Sequence, residues 1–490
     1  MIMKRRNIVI VLVALILAST ILEFKFGNYS LAPVQGNWEN NDQILQVPSV
    51  YRLSKENLFS GDQIINEYIK IYTTLLFSFL ALVYNTFPNI IFSYFLVFLS
   101  LKIVFIVSVF LLSNLLLKNH KQALMAASFL SFTHFMGADE IGLTEVVPKN
   151  FAFAFMPLIF YLFLKDRKKY SIPCFIFLGI LSYFHIFSVI PVALLFLYSH
   201  LSKKEYRQLL ISIAILVMFT APFLVVTQQK AGQIDPEIRS AAPYANLVNG
   251  FFTVAKFAPI VIIGLLAVIR PKKLENIFPD LDGDKGLLSW FVIITIYSLL
   301  SLAGIFSTKI LLLTLYRSFK YVIFFSFIFA APFVFWLSKK KKVAGVLAFL
   351  VILLYFSSIY YSTLLNGLTK NQAAYSSEVN DVITLGNWID KNIEKNETIL
   401  APPDWGVIRV WGKRPLVFAD TDSYVVLFTP EKFPNKAVYK EIGLAYKNSD
   451  SQKLLEIAKQ NSLKYIITYN LSIPLNEKFR AGNFKVYYLG

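Results

Sequence analysis

The sequence is poor in cysteine, histidine and negative charge. Its one cysteine, Cys174, excludes an internal disulfide and any CxxC metal or redox site, and its place inside an apolar run predicts core packing. The 4 histidines lack the spacing of metal ligands. No HExxH, Ser-His-Asp or P-loop pattern occurs, so the peptidase, ATPase and kinase classes are excluded. The sequence shows no internal repeat and no Gly-rich phosphate loop.

Apolar residues dominate what is there. The 490 residues are 56% hydrophobic and include 46 Phe, and the mean hydropathy is +0.56, which predicts a polytopic α-helical membrane protein surrounded by membrane lipids. The formal charge is +18, with 48 basic and 30 acidic residues. The basic residues form short clusters between apolar runs, as in cytoplasmic loops, so the charge does not predict a nucleic-acid partner.

The basic clusters predict the topology. Lys4, Arg5 and Arg6 precede an apolar run from Ile8 to Ile21, which we interpret as a retained first helix with a cytoplasmic N-terminus rather than a cleaved signal peptide. The positive-inside rule places the later clusters in the cytoplasm as well. These clusters lie at residues 118–121, 165–169, 203–207, 270–273 and 339–342.

This placement predicts about eleven spans, each judged against the roughly 20 residues that a bilayer requires. The run from Tyr68 to Phe87 must then be a re-entrant or surface helix that turns at Pro88; if it crosses instead, the count changes by one. Ser171 to His200 must form two short helices with an outer turn near His185. The crossings begin near residues 8, 90, 123, 150, 171, 186, 208, 250, 287, 310 and 343.

After the last span the composition becomes polar and mixed in charge. We therefore predict a transmembrane domain at residues 1–366, with an acid-bearing outer loop at 23–67, and a small extracytoplasmic α/β domain at 367–490. Asn366–Ser377 is the predicted linker. The predicted helices are Val379–Glu394 and Ser451–Asn461, and the predicted strands are Thr398–Ala401, Leu416–Ala419, Tyr465–Tyr469 and Lys485–Tyr488.

Two acids in the first outer loop are candidates for chemistry, because polar chemistry in such a chain needs a loop that meets the helix ends. Asp42 lies where a membrane-proximal catalytic base would have to lie, and Asp62 follows it in the same loop. The alternative for Asp42 is a solvated loop acid.

The second outer loop reads GADEIGLTEVVPKN. Its acids and those of the first loop could share a metal ion, Mg²⁺ or Mn²⁺, with Asp42 and Asp139 as ligands, or one carboxylate could act as a base while another orients the acceptor. The alternative is loop solubility. The charged residues of this loop are Asp139, Glu140, Glu145 and Lys149, of which Asp139 and Glu140 are the preferred catalytic candidates.

Arg317 and Lys320 lie three residues apart on one face of a helix, inside the apolar run LLLTLYRSFKYVIFFSF. Charges within a membrane are costly and usually mark a ligand path, although both side chains could also snorkel to the interface. An arginine fork and an ammonium at headgroup depth suit a lipid phosphate. Tyr321 flanks them, and His185 would lie on the same side of the membrane.

This organisation resembles the GT-C superfamily of membrane glycosyltransferases, which includes oligosaccharyltransferases, protein mannosyltransferases and aminoarabinose transferases. The shared features are a cytoplasmic N-terminus, one span, an acid-bearing outer loop with a surface helix, many further spans and an outer α/β domain. The resemblance implies that the first outer loop supplies the catalytic acid, here Asp42. The stretch from Arg317 to Tyr321 is similar to the family's Arg-Tyr region near the polyprenyl phosphate, with Lys320 where arginine is more usual.

The outer domain carries a second likeness. The order of Asp404-Trp405-Gly406 and then Arg414 resembles the oligosaccharyltransferase segment built around a Trp-Trp-Asp-Tyr-Gly motif. Pro402 and Pro403 stand where that motif has its tryptophans, so the resemblance does not extend to an Asn-sequon acceptor. Independently of the family, Asp404 could cap a short helix from Trp405 to Trp411.

Together these features predict transfer of a sugar from a polyprenyl-phosphate-linked donor to an extracytoplasmic glycan, lipid or protein. A monophosphate donor requires no metal, whereas a pyrophosphate donor favours one. A transporter or flippase of a lipid-linked or anionic substrate is the alternative, since charges within the membrane also line permeation paths. A transporter would more typically show repeated halves. A non-catalytic protein of envelope polysaccharide assembly is the third hypothesis.

Overall fold

The computed structural model describes residues 5–26, 43–72, 74–132, 146–231, 257–269, 286–300, 315–353, 372–434 and 436–490. The chain divides into two compact units. Unit 1 consists of Met1–Gly27, Val97–Thr227 and Arg239–Leu364, and unit 2 consists of Asn28–Leu96, Gln228–Ile238 and Leu365–Gly490. The first outer loop and the C-terminal region, distant in sequence, therefore belong to one unit. The domain boundary at residue 366 stays a prediction.

Unit 1 is helical throughout its described residues. Its helices, with α5 beginning and α9 ending in unit 2, are α1 (Arg5–Phe26), α5 (Ile90–Leu117), α6 (His120–Phe132), α7 (Pro148–Lys165), α8 (Arg167–Ser202), α9 (Tyr206–Ala231), α10 (Ala258–Ile269), α11 (Gly286–Leu299), α12 (Phe319–Lys340) and α13 (Lys342–Leu353). A 3₁₀ turn, Leu315–Ser318, leads into α12.

Three described helices are long and apolar enough to cross a membrane by length and composition, namely α5, α8 and α12. Shorter apolar helices, such as α10 and α11, stand near the other predicted crossings. The chain is thus a largely helical membrane protein, and the number of about eleven spans stays a prediction.

Helix α8 is folded back on itself at His185, as the basic clusters on either side of it predicted. His185 has an extended backbone (φ −157°, ψ 95°), which interrupts the helical hydrogen bonds. Ser171 Oγ lies 2.7 Å from His200 Nε2, although the two residues would be about 43 Å apart along an unbroken helix. The two halves therefore run antiparallel, each at the short end of what spans a bilayer.

A polar network closes the open end of this hairpin. His200 Nδ1 lies 2.8 Å from Glu205 Oε2, and Arg167 binds the same carboxylate with two nitrogens at 2.8 and 3.0 Å. Ser171, His200 and Glu205 thus stand in the order of a hydrolytic triad, an arrangement that the sequence did not reveal. Ser171 and His200 are completely buried, and the network joins the two ends of the hairpin.

Aromatic rings align three helices in unit 1. The rings of Phe163 and Phe196 stack at 3.7 Å between α7 and the second half of α8, and Phe160 meets Phe325 of α12 at 5.0 Å. One to two turns earlier, Phe153 meets Tyr321 at 5.8 Å. Phe151 of α7 stacks 4.2 Å from Phe184 beside the turn of the α8 hairpin, and Tyr321 of α12 bonds Ser188 just after that turn. Both helices therefore begin beside the same turn and run in the same direction.

In unit 2 the first loop and the run that follows it form three short helices: α2 (Gln43–Leu53), α3 (Gln63–Ile71) and α4 (Leu76–Thr86). The run from Tyr68 to Phe87 is therefore split between α3 and α4. An 11-residue helix such as α4 is about 16 Å long, too short to cross a bilayer, which agrees with the predicted re-entrant or surface segment. The chain turns at Phe87–Asn89, and Asn89 Oδ1 accepts a hydrogen bond from Phe92 N as α5 begins.

The C-terminal part of unit 2 is an α/β domain. Its elements are α14 (Gln372–Asn392), β1 (Ile399–Leu400), α15 (Val407–Gly412), α16 (Ser423–Phe428), α17 (Lys436–Lys447), α18 (Ser451–Gln460), β2 (Tyr465–Tyr469), β3 (Glu477–Ala481) and β4 (Phe484–Tyr488), with 3₁₀ turns at Pro403–Trp405, Asp420–Asp422 and Pro430–Lys432. The sheet order is β1-β2-β4-β3, with β1 and β2 parallel and the other pairs antiparallel.

One hydrophobic core supports this sheet. Leu385 and Ile389 of α14 are fully buried against Ile467 of β2 and Phe484 of β4, and α15 contributes Val407. Because the apolar face of α14 lies on the sheet, the predicted alternation of helix and strand gives the α/β layer that the composition suggested.

Several details differ from the sequence-based expectations. The predicted strand Leu416–Ala419 makes only one parallel bridge, from Leu416 to Ile399, because Ala419 already leads into a 3₁₀ turn. The last six residues of the predicted linker are the beginning of α14. Strand β3 and helices α16 and α17 were not predicted.

Candidate functional site

The predicted cations of unit 1 lie where α12 begins. Arg317 lies in the 3₁₀ turn Leu315–Ser318 and is half-buried, and Lys320 lies in the first turn of α12 with 3% of its surface exposed. The long apolar run continues behind them without another charge until Lys339. The first turn of α12 therefore carries positive charge into the helix bundle.

The Lys320 ammonium has well-defined partners. It donates a hydrogen bond to Ser188 Oγ at 2.9 Å, and it lies 5.4 Å from the centroid of the Phe153 ring. Tyr321, the next residue, is fully buried and donates its hydroxyl to the Ser188 carbonyl. Lys320 and Tyr321 thus fasten the start of α12 to the turn of the α8 hairpin.

His185 completes this chain of hydrogen bonds. The backbone N of Ser188 donates to His185 Nδ1 at 3.2 Å, and the Ser188 hydroxyl lies 2.8 Å from the same nitrogen. Because Nδ1 accepts the backbone N–H, the neutral ring carries its proton on Nε2. His185 therefore caps the second half of α8, which fixes the orientation of its ring.

Lys149 lies at the corresponding end of α7. Pro148 begins that helix after the extended Val147, and Lys149 stands one turn before Phe153, the residue beneath Lys320. Since α7 and α12 are parallel neighbours, both helix N-termini and the three cations Lys149, Arg317 and Lys320 gather at one end of the bundle. The positive ends of the helix dipoles and the basic side chains together favour the binding of an anion at this end of the bundle.

Asp62 is placed quite differently, inside unit 2. It is 6% exposed, and its Oδ1 accepts a hydrogen bond from Ile65 N at 3.0 Å, so it caps α3. Its Oδ2 faces Arg409 Nε of α15 at 3.9 Å. Arg409 is completely buried and binds Asp422 with two nitrogens at 2.7 and 2.8 Å.

The two carboxylates of this cluster interact with Arg409 to different degrees. Burial raises the pKa of the Asp62 carboxyl, and the lowering effects of Arg409 and the Ile65 N–H do not offset it. Burial lowers the pKa of Arg409, but Asp422 more than reverses this, so its net pKa is raised. Asp422 is therefore the main partner of the Arg409 guanidinium, and Asp62 is a weaker one.

Two predicted binding residues of the outer domain, Trp405 and Arg414, are packed inside that domain. Trp405 is 8% exposed and its ring packs 4.7 Å from Phe484 and 5.1 Å from Tyr469, in the core of the sheet. Arg414 is buried and donates to the carbonyls of Ile393 and Asp390, where α14 ends. These contacts give both residues a structural role, and their role in substrate binding stays a prediction.

Asp404 is exposed within the 3₁₀ turn Pro403–Trp405. The expectation that it caps a helix from Trp405 to Trp411 is wrong: α15 begins at Val407, its N-cap is Gly406, and no side chain caps it. Pro402, which precedes a proline, is extended (ψ 129°), and the 3₁₀ turn Pro403–Trp405 occupies the start of the expected helix.

Asp42, Asp139, Glu140 and Glu145 lie outside the described residues. Within the described residues, no group of three His, Cys, Asp or Glu side chains lies close enough to hold a metal ion. Asp62, the loop acid that is described, faces the positive charge of Arg409 and is a poor ligand for a divalent cation. The role of Asp42 and Asp139 as metal ligands stays a prediction.

Three residues of these clusters escaped the sequence analysis, namely Ser188, Arg409 and Asp422. Arg409 had a detectable signal, since it is a lone charge in the apolar stretch Val407–Trp411. A charge in the apolar face of a short helix of a soluble domain usually has a buried partner. Ser188 and Asp422 carry no comparable signal.

Comparison with known proteins identifies the fold class. No family model and no curated protein sequence matches this chain. Solved structures do match, among them an oligosaccharyltransferase and an arabinofuranosyltransferase that are GT-C glycosyltransferases, as the sequence resemblance predicted. The chain is thus a membrane protein with a GT-C-like fold.

Two structures carry this conclusion. The Archaeoglobus fulgidus oligosaccharyltransferase, in a crystal structure with Zn and sulfate, aligns with a TM-score of 0.52 and 12% identity over 94% of this chain and 68% of that chain. The arabinofuranosyltransferase AftD from Mycobacteria aligns with a TM-score of 0.52 and 11% identity over 100% of this chain and 40% of that chain. At such identities the likeness concerns the fold alone.

Proposed function

We propose that this protein is a membrane glycosyltransferase that transfers a sugar from a polyprenyl-phosphate-linked donor to an extracytoplasmic glycan, lipid or protein. The observation that carries the proposal is the buried Lys320 ammonium at the start of α12, held by Ser188 beside a fixed His185. A basic end of a helix bundle with an apolar wall suits a ligand that is both a phosphate and a long hydrocarbon chain.

The cations have distinct roles in this proposal. Arg317 and Lys320 bind the phosphate oxygens, Lys149 adds charge from α7, and His185 donates through Nε2–H. As the glycosidic bond breaks, negative charge grows on the phosphate oxygen that leaves, and fixed cations stabilise it more than they stabilise the bound donor. Tyr321 positions Lys320 through the shared Ser188.

Asp42 is the proposed base. It would accept the proton of the acceptor hydroxyl while that oxygen attacks the sugar, with Asp139 or Glu140 orienting the acceptor. Glu145 and the exposed Asp404 are the further proposed acceptor contacts. A pyrophosphate donor would bring its own need for Mg²⁺ or Mn²⁺, for which Asp42 and Asp139 are the proposed ligands.

The proposed topology follows from the basic clusters. The N-terminus is cytoplasmic, about eleven helices span the plasma membrane, and residues 367–490 lie outside the cell. The membrane supplies the lipid donor, and the proposal includes no nucleic-acid partner. Cysteine labelling of Lys340→Cys should succeed only from the cytoplasmic side, whereas Leu444→Cys should be labelled from outside intact cells.

Deletion of the gene followed by complementation tests the function. The surface glycans and the polyprenyl-linked sugars of the cells are measured by mass spectrometry. We expect the deletion to remove a sugar from the glycan and to leave an unused lipid-linked sugar on the outer face. Wild-type protein should restore the glycan, whereas Lys320→Met, which keeps the length of the stem and removes the charge, should not.

The matched control is Lys339→Met, at the opposite end of α12. Lys339 also lies against a ring, 5.1 Å from the Phe335 centroid, but it lies in the predicted cytoplasmic cluster. It should complement fully. Accumulation of the lipid-linked sugar on the cytoplasmic face would instead indicate a flippase, and unchanged glycan and lipid pools would refute the transferase.

A further inference from the structure

A buried arginine is shared by the two parts of unit 2. Arg409 lies on α15 of the C-terminal domain with none of its surface exposed. Its two terminal nitrogens bind Asp422, and one of them also reaches the Leu416 carbonyl at 3.4 Å. The remaining nitrogen, Nε, faces Asp62 at the start of α3, which belongs to the first outer loop.

The arrangement places two buried carboxylates around one buried cation. Asp422 is fully satisfied, since it also accepts a hydrogen bond from Ala419 N at 2.7 Å. Asp62 has its cap bond to Ile65 N on one oxygen, and on the other oxygen only the attraction of Arg409 at 3.9 Å. Without that positive charge, seating α3 on the domain would bury a carboxylate with no counter-charge.

Other contacts show that the loop and the domain fit closely here. A Cβ on Gly406 would lie 2.9 Å from Ile44 Cγ2 of α2, so this glycine allows α2 to approach the start of α15. Gln63 of α3 donates to the Lys432 carbonyl at 2.7 Å. Each of these contacts is small and local. Loss of one partner of the ionic contact, by contrast, leaves a buried charge unpaired and strongly destabilises the fold.

We propose that Arg409 is a positioning residue for the reaction: it is the counter-charge that keeps Asp62, and with it helices α2 and α3 of the first outer loop, seated on the C-terminal domain. Asp42 directly precedes the first residue of α2. This inference rests on the proposed function, in which Asp42 is the base. Arg409 would thus control turnover from the far side of the loop without touching the substrate.

The test uses the full-length protein in lipid nanodiscs. Arg409→Met removes the counter-charge, and we expect hydrogen exchange of the α3 amides to become at least about tenfold faster. The kcat should fall by about 10- to 100-fold, as for a misplaced catalytic group, while the KM for the lipid donor, which binds in unit 1, stays constant. The exchange of β2 serves as the internal reference.

A second substitution should reverse the first. Adding Asp62→Asn keeps the cap of α3, because asparagine also accepts a hydrogen bond from Ile65 N. It also removes the buried negative charge that Arg409 neutralises. Because Arg409→Met also leaves Asp422 without its cation, Asp422→Asn is added, and Arg409→Met with Asp62→Asn and Asp422→Asn should regain the α3 protection and most of the kcat. The matched control replaces Asp62→Asn by Asp450→Asn in this variant, since Asp450 caps α18 in the same way and should rescue neither.

Arg409→Lys provides the same test if Arg409→Met does not fold. A lysine can hold only one carboxylate with good geometry, so the ammonium stays with Asp422 and Asp62 again loses its partner. The control Arg480→Lys changes an exposed pair with Glu477 and should leave α3 unchanged.

Each outcome decides one question. Unchanged α3 exchange in the Arg409 variants overturns the positional role, whatever the activity. Faster exchange that Asp62→Asn restores without recovery of kcat shows that Arg409 acts on the substrate directly, and the proposal fails. If the wild-type protein transfers no sugar, the proposed function fails, and the exchange pattern alone decides whether Arg409 seats the loop.

Discussion

Each of the two units contains a buried cation, and the two cations have different kinds of partner. In unit 2, Arg409 is gripped by the carboxylate of Asp422 and attracts a second one, Asp62. In unit 1, Lys320 donates to the hydroxyl of Ser188 and lies over aromatic rings. A hydroxyl can release its hydrogen bond at low cost, whereas a buried ion pair cannot. The comparison indicates that the Arg409–Asp422 pair holds structure, and it motivates the proposed role of Lys320 in binding a phosphate.

The largest effect on stability should come from Arg409→Met. It leaves two buried carboxylates without their cation, and breaking such a pair typically costs about 3–5 kcal/mol. Thermal and denaturant unfolding of the purified protein measure the change. Arg480→Met, which removes an exposed pair, should cost far less. Equal effects of the two substitutions would erase the distinction between them.

Lys320→Met should give the converse result. Methionine keeps the contact with the Phe153 ring and loses the hydrogen bond to Ser188, so the protein should still fold, with a smaller loss of stability than Arg409→Met. Donor use should suffer instead: losing one charge-assisted hydrogen bond to a phosphate is worth about 1.5–3 kcal/mol, or about 10- to 150-fold in kcat/KM. A Lys320→Met protein that unfolds readily but, where folded, retains full kcat/KM would make Lys320 a structural residue like Arg409.

The pH dependence of Asp62→Asn should sharpen the contrast within unit 2. Since burial raises the pKa of the Asp62 carboxyl, the folded protein binds this proton more tightly than the unfolded chain does. The ionised carboxylate therefore lowers stability at neutral pH, and this loss disappears as the pH falls through the raised pKa towards the unfolded value of about 4.

We thus expect Asp62→Asn to be as stable as the wild type or more stable at pH 7, with the difference vanishing in acid. Unfolding measured between pH 7 and pH 4 tests this, with Asp450→Asn as the control for the cap. A variant that is less stable at pH 7 and recovers in acid would show that Arg409 outweighs the effect of burial.

The smallest effect should come from the turn of the α8 hairpin. His185→Ala removes the acceptor for Ser188 N, and the loss of such a cap costs about 1 kcal/mol. His185→Asn, which can accept the same hydrogen bond, should cost less. Unfolding measurements on both variants check the difference, and equal losses would mean that the cap contributes nothing to the turn.

The elements that sequence reasoning located share strong local signals. Strand Tyr465–Tyr469 has the predicted bounds because its five residues are β-branched or aromatic. The turn at His185 followed from basic residues on both sides of an apolar run that is too long for one span. Such features are set by residues that are close in sequence, so a local sequence pattern is enough to predict them.

The features that were missed depend on distant residues or weak patterns. Strand β3, with the sequence EKFRA, has charged residues on its exposed face and pairs only because β4 lies beside it. Asp62 and Arg409 come from opposite ends of the chain, so no spacing rule joins them. Ser188 has an ordinary sequence context, and only the packing of α12 on the hairpin gives it two partners.

The most direct test of the central claim separates donor binding from turnover. Purified wild type, Asp42→Asn and Arg317→Ala in nanodiscs are given polyprenyl-phosphate sugars, with native mass spectrometry for binding and release of polyprenyl phosphate for turnover. We predict that Asp42→Asn binds the donor normally but turns over about 10²- to 10⁴-fold more slowly, and that Arg317→Ala binds the donor weakly. Normal turnover by Asp42→Asn, or undiminished donor binding by Arg317→Ala, would contradict the account.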